Sequence, residues 1–144
     1  MVASRDHLCV NPAINVNKGF ALNAACKNAQ KGLNLCGYYK NRDKGKESMP
    51  WGPLDIEELH KVAEEGKYCP YYASKERAAI ADLIFMPYNY LIDEKIRENF
   101  DIDYSNSIII FDEAHNIAAC TEEVTSFELR AANLESCLAE VHAL

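Results

Sequence analysis

Two groups of residues in this 144-residue chain have types and spacings that suggest chemistry. The first is Asp112-Glu113-Ala114-His115, directly behind the apolar run Ile108-Ile109-Ile110-Phe111. Such a run reads as a buried strand. Two carboxylates at its end need a compensating positive charge, because desolvating an anion is costly. A divalent metal carrying a nucleotide phosphate is the usual compensation at the carboxyl end of a parallel strand. The stretch therefore reads as the Walker B element of a nucleotide-driven motor. Asp112 is placed for Mg²⁺, through water, since that ion keeps much of its hydration shell. Glu113 is the candidate general base for the attacking water. Ala114 leaves room for backbone and nucleotide to approach, and His115 relays the state of the γ-phosphate. The plainer alternative is an acidic helix start favoured by the helix dipole.

The second group is Cys9, Cys26, Cys36 and Cys69. All four lie in or beside a loop-rich region. Structural zinc sites usually show close C-x₂₋₄-C pairs, and this chain has none. Widely spaced single ligands are compatible with a cubane iron–sulfur cluster, whose four irons each take one thiolate. Spacing alone leaves zinc and plain buried thiols open as well. Cys120 and Cys137 fall in helical contexts and read as small core residues.

The elements that must position these residues follow from local pattern. Residues 1–50 are irregular and rich in Asn, Lys and Gly, with a short helix expected between Phe20 and Leu35. So irregular a segment has difficulty offsetting its ordering entropy by burial and needs a staple. After Pro50-Trp51-Gly52-Pro53, Asp55 and Glu58 form a capping-box pattern, with Gly66 as the helix stop. Ser74 is expected to cap a helix over Lys75–Ala81. Leu83–Met86, ended by Pro87, reads as a buried strand, and Asn89 as the start of a helix reaching about Asn99. A short strand is expected at Ser126–Leu129. Asn133 is expected to cap a last helix with Leu134, Cys137, Leu138 and Val141 on its apolar face. Helix and strand alternating from Ser74 onward imply parallel α/β units.

Net charge is −7, unevenly spread. Residues 1–50 hold eight Lys/Arg against three Asp/Glu, whereas residues 51–144 hold seven against nineteen. That asymmetry suggests one region that meets polyanions, the plainer alternative being a solvated basic loop face. No apolar run approaches the roughly 20 residues needed to span a bilayer. Met1-Val2-Ala3-Ser4-Arg5-Asp6 lacks the apolar core of a signal peptide. A soluble, unsecreted chain is expected, in which six cysteines point to metal or burial rather than disulfides.

Four segments occur in an order that resembles the XPD-like iron–sulfur helicases, a superfamily 2 group with a DEAH box. They are Ser4-Arg5-Asp6-His7-Leu8-Cys9-Val10-Asn11-Pro12, Tyr68-Cys69-Pro70-Tyr71-Tyr72-Ala73, Ile84-Phe85-Met86-Pro87-Tyr88-Asn89-Tyr90-Leu91-Ile92-Asp93, and Ile109-Ile110-Phe111-Asp112-Glu113-Ala114-His115-Asn116-Ile117. The opening and Asp55-Ile56-Glu57-Glu58-Leu59 look most like the Fanconi anaemia group J branch, with the telomere-length-regulating branch next. The resemblance implies that Cys9, Cys26, Cys36 and Cys69 ligate a [4Fe–4S] cluster. It further implies ATP and Mg²⁺ as cofactors, movement 5′ to 3′ on single-stranded and forked DNA, a nuclear location and repair-complex partners. Arg5 matches a family arginine near cluster and DNA. Tyr71, Tyr72, Tyr88 and Tyr90 are candidates for stacking on bases, although tyrosines after buried strands are more often core.

The implied fold is α/β, a partial RecA-like motor domain with a parallel sheet, carrying an inserted loop- and helix-rich iron–sulfur domain. The expected division is residues 1–73 for the cluster domain and 74–125 for the partial motor domain with its DEAH box. Residues 126–144 begin the family's arch insertion or end the motor segment. The chain contains no G-x-x-x-x-G-K-[ST] loop, the element that holds the phosphates. The family carries that loop upstream and a second motor domain downstream. The 144 residues alone are therefore expected to be inactive as an ATPase or helicase. The competing expectation is a stand-alone metal-binding nucleic-acid module without motor activity, and a third is a degenerate chain that binds neither cluster nor DNA.

Overall fold

A computed structural model describes residues 1–31, 35–126 and 131–142. All regular structure among them is helical: α1 (Arg5–Leu8), α2 (Pro12–Asn15), α3 (Gly19–Asn28), α4 (Gly37–Lys40), α5 (Arg42–Ser48), α6 (Ile56–Gly66), α7 (Pro70–Ala78), α8 (Asn89–Ile92), α9 (Glu94–Arg97), a 3₁₀ turn at Ala114–Asn116, α10 (Ile117–Thr125) and α11 (Ala131–His142). The chain divides into two compact units, Met1–Ile110 and Phe111–Leu144.

In the first unit, local side-chain chemistry starts most of the elements. Asn11 caps α2 by accepting from the Ala13 amide at 3.0 Å, and Pro12 fills the first helical position, where a missing N–H costs nothing. The Gly19 amide donates to Asp6 Oδ1 at 2.7 Å, tying the start of α3 to α1. The expected capping box opens α6, with Glu58 N donating to Asp55 Oδ1 at 2.7 Å and Asp55 N to Glu58 Oε2 at 3.2 Å. The left-handed residue that ends α6 is Lys67, with φ 55°, rather than Gly66. Gly66 serves packing instead: a Cβ there would stand 2.5 Å from the Tyr68 ring.

α7 starts at Pro70, four residues before the expected cap. Proline at the first position is preorganised for a helix. Ser74 consequently lies inside α7, buried, its hydroxyl donating to the Tyr71 carbonyl at 3.1 Å. The single helix expected from Asn89 is two. Asp93 breaks the run and caps α9, accepting from the amides of Lys95 and Ile96.

Two cores result. Ala3, Leu8, Met49, Leu59, Ala63, Tyr68 and Ala73 form the first; Val2, Ala78, Tyr90 and Phe100 form the second. α7 contributes to both, so the boundary expected after residue 73 falls within a helix that spans them.

Neither of the strands expected at Leu83–Met86 and Ile108–Phe111 belongs to a sheet among the described residues. Residues 83–86 nevertheless have two faces: Ile84 and Met86 pack on the second core, while Leu83 and Phe85 are 71% and 60% exposed. One backbone bond, Val2 N–H to the Phe85 carbonyl at 2.8 Å, joins this run to the amino terminus. Ile108, Ile109, Ile110 and Phe111 are 91%, 47%, 88% and 41% exposed. A strand is stabilised by cross-strand pairs and a covering layer; among the described residues, 83–86 has one covered face and a single bond to the amino terminus, and 108–111 stays exposed. The buried parallel sheet expected from them is not seen among the described residues.

In the second unit, α10 follows the 3₁₀ turn and α11 begins at Ala131, so Asn133 lies within α11 and does not cap it. Leu134, Cys137, Leu138 and Val141 are exposed, and Cys137 is not a core residue. Most of the strand expected at Ser126–Leu129 lies outside the described residues.

Candidate functional site

The four cysteines of the first unit stand at helix ends or, in one case, within a helix. Cys9 ends α1, Cys26 lies in α3, Cys36 precedes α4 and Cys69 precedes α7. All four are free and half-buried. Backbone bonds fix two of them: Cys36 N donates to the Ala29 carbonyl at 2.8 Å, and Cys69 N to the Tyr38 carbonyl at 2.9 Å. Burial pushes the Cys69 thiol up to about 11, with Cys26 and Cys36 adding to the rise and the backbone at Tyr72 and Tyr71 opposing it. Burial likewise raises Cys9, again with Cys26 and Cys36 contributing, while the backbone bond at Asn11 and the charge of Lys18 lower it. Cys9 and Cys69 thus each lie within electrostatic reach of both other thiols. Among the described residues, no three His, Cys, Asp or Glu side chains gather tightly enough to hold a single metal ion.

Two amides reach sulfur. Asn11 Nδ2 donates to Cys36 Sγ at 3.1 Å, and Gln30 Nε2 donates to Cys26 Sγ at 3.3 Å. Sequence reading missed both. Asn11-Pro12 signals a helix start, but nothing local signals a contact to a residue 25 positions away.

Arg5 lies beside this region. Its guanidinium donates to Asn23 Oδ1 at 3.0 Å and to the Tyr72 hydroxyl at 3.1 Å, and sits 4.1 Å from the centroid of the Tyr71 ring. Burial works against its charge. The Tyr72 hydrogen bond, the two tyrosines and Cys26 outweigh that, so its pKa is raised. Tyr72 also packs edge-on against Tyr39 and Tyr71, at 4.9 and 5.0 Å. Tyr90 is buried at 5.6 Å from Phe100, a core position, and Tyr88 is half-buried.

The acidic element belongs to the second unit. Asp112, Glu113 and His115 are all exposed. Asp112 Oδ1 accepts from the Glu113 amide at 3.0 Å. Glu113 takes the left-handed conformation, φ 50° and ψ 44°, just before the 3₁₀ turn. For a non-glycine residue this region costs roughly 1–2 kcal/mol. The turn brings Glu113 Oε2 within 3.1 Å of His115 Nδ1. Residues two apart on a straight helix do not face each other, so the bend makes the pair. The cysteines and the acids fall in different units.

Arg77 is a further structural residue that the sequence did not reveal. Its guanidinium donates to the carbonyls of Lys46, Met49 and Pro50 and lies 4.2 Å over the Trp51 ring, so α7 holds the end of α5.

The DEAD_2 family model matches residues 1–134. Among curated proteins, the chain is 35% identical over 147 residues to a regulator of telomere elongation helicase 1 homolog from Aedes aegypti, covering 100% of this chain and 15% of that protein. A homolog of the same name from Drosophila mojavensis is 38% identical over 98% of this chain and 14% of its own length. The Arabidopsis thaliana homolog is 36% identical over 97% and 14%. The chain thus spans about one seventh of the length of these relatives. They carry the telomere name and give no specific support to the Fanconi anaemia group J likeness. The likeness extends through both the cysteine-bearing segments and the Asp-Glu-Ala-His element, and the chain belongs to the DEAD_2 helicase family.

Proposed function

We propose that the chain is part of an ATP-dependent DNA helicase of the DNA-repair type that moves 5′ to 3′. In this reading it supplies a [4Fe–4S] site and the acidic half of an ATP site within a partial RecA-like motor domain. The observation that carries the proposal is the family match over residues 1–134, which takes in both sets of residues.

The donor set suits the cluster. A cubane takes one thiolate on each of its four irons, so its ligands stand further apart than those around one ion. Four free, half-buried thiols, with Cys9 and Cys69 each in electrostatic reach of Cys26 and Cys36, supply that number of ligands. The bound cluster would supply the positive charge that lets buried thiols ionise and would cross-link four separated points of the chain. Cys9, Cys26, Cys36 and Cys69 would hold it.

Asp112 would hold Mg²⁺ with ATP, and the ion would offset the phosphate charge. Glu113 takes the proton of the attacking water. His115, paired with Glu113, orients that carboxylate and relays the state of the γ-phosphate. Arg5, stacked on Tyr71 near Cys26, contributes a cation beside the DNA path. The lysines of residues 1–50 meet DNA phosphates. A nuclear location and repair partners accord with the telomere name of the relatives.

The nucleotide half of the proposal is tested by ATP turnover. The purified 144-residue chain is expected to show none. A longer chain that includes a phosphate-binding loop hydrolyses ATP and loses that activity in Glu113→Gln while its iron content stays the same. Steady turnover by the 144 residues alone, abolished by Glu113→Gln, would contradict the half-site reading.

A further inference from the structure

We infer that Asn11 and Gln30 are positioning residues that set the electronic character of the metal site by donating N–H···S hydrogen bonds to Cys36 and Cys26. The inference rests on the cluster reading above.

The orientation of both amides is fixed by their other contacts. Asn11 Oδ1 accepts from the Ala13 amide at 3.0 Å, which leaves its NH₂ group to face Cys36 Sγ at 3.1 Å. Gln30 Nε2 reaches the Cys26 carbonyl at 3.1 Å as well as Cys26 Sγ at 3.3 Å. A carbonyl oxygen only accepts, so the group facing it must be the NH₂. The two amides therefore present donors to two of the four sulfurs. Each belongs to an element that the fold holds for other reasons, Asn11 as the α2 cap and Gln30 just beyond α3.

Hydrogen bonds to ligating sulfur tune iron–sulfur reduction potentials, and the groups behind metal ligands orient and tune them. A donor draws charge from the thiolate and stabilises the more negative, reduced cluster. One electron enters the cluster on reduction, no bond is made or broken and no proton moves. In the test, dithionite supplies that electron. Losing a donor shifts the midpoint to more negative potential and strengthens the Fe–S(Cys) bond.

The experiment compares anaerobically prepared wild-type protein with Asn11→Ser, Gln30→Leu and the double variant. Serine keeps a side-chain oxygen for the α2 cap but is too short to reach Cys36 and adds no charge. Iron and sulfide content, the midpoint from a mediated dithionite titration and the Fe–S(Cys) stretching frequencies in resonance Raman spectra are measured. The expected result is wild-type iron content, a midpoint moved to more negative potential in each single variant and further in the double, and raised stretching frequencies. Equal midpoints and frequencies in fully loaded variants would overturn this inference and leave the cluster reading standing. Wild-type protein without iron and sulfide would overturn both, and the colourless wild type identifies that case.

Discussion

The ring of Tyr68 sits in the first core with 1% of its surface exposed, and its hydroxyl has no hydrogen-bond partner among the described residues. An unsatisfied buried hydroxyl costs roughly 1–3 kcal/mol. Tyr68→Phe is therefore expected to raise stability by about 1 kcal/mol, read as a higher urea midpoint at unchanged slope; a lower midpoint would show that the hydroxyl has a role. Cys69 gives a pH prediction. Its folded thiol is raised from 9.0 to about 11 by burial. The protonated form is favoured by folding, so this contribution is complete below pH 9.0 and is lost as pH rises through about 11. Metal-free protein should lose stability across that window, and Cys69→Ser should flatten the loss in the same titration. The approximate identities of these residues' roles were readable in different degrees. Cys69 announced itself by type, within a recognisable segment. Tyr68 did not, because its role depends on two glycines brought to its ring by separate helices.

Among the elements, α6 was legible because its signals lie within four residues: Asp55 and Glu58 cap each other wherever the rest of the chain goes. The start of α7 was misplaced because Ser74 carries a capping type while Pro70 carries the stronger preorganisation. The run Leu83–Met86 was readable as apolar, but its reading as a buried strand missed that one face is exposed and no ladder forms among the described residues, since a ladder depends on partners remote in sequence. The same limit applies to Ile108–Phe111. Interlocking of elements makes its own prediction at Gly45, inside α5. A Cβ there would stand 2.8 Å from Ala73 Cβ and press on the Tyr68 ring. Alanine improves helix propensity by at most about 1 kcal/mol, while overpacking a fixed core costs roughly 1–3 kcal/mol. Gly45→Ala should destabilise by about 1–2 kcal/mol in thermal or urea unfolding. A gain would mean that the α5–α7 contact is looser than described.

At the scale of the whole molecule, the first unit relies on many short helical turns held by caps and carbonyl contacts, and it carries an exposed apolar groove. Trp51, Ile80, Leu83 and Phe85 line a cavity of about 620 Å³ there. The cysteines lie elsewhere, between α1, α3, α4 and α7, where four remote points of the chain come together. That arrangement is where a cross-link gives most, since closing long loops removes the most entropy from the unfolded chain. We propose that a [4Fe–4S] cluster is that cross-link. Iron, zinc and acid-labile sulfide in anaerobically purified protein test it most directly. The expected result is about four irons and about four sulfides per chain, with a brown visible chromophore lost in Cys69→Ser. Stoichiometric zinc without iron in the same preparation would contradict it.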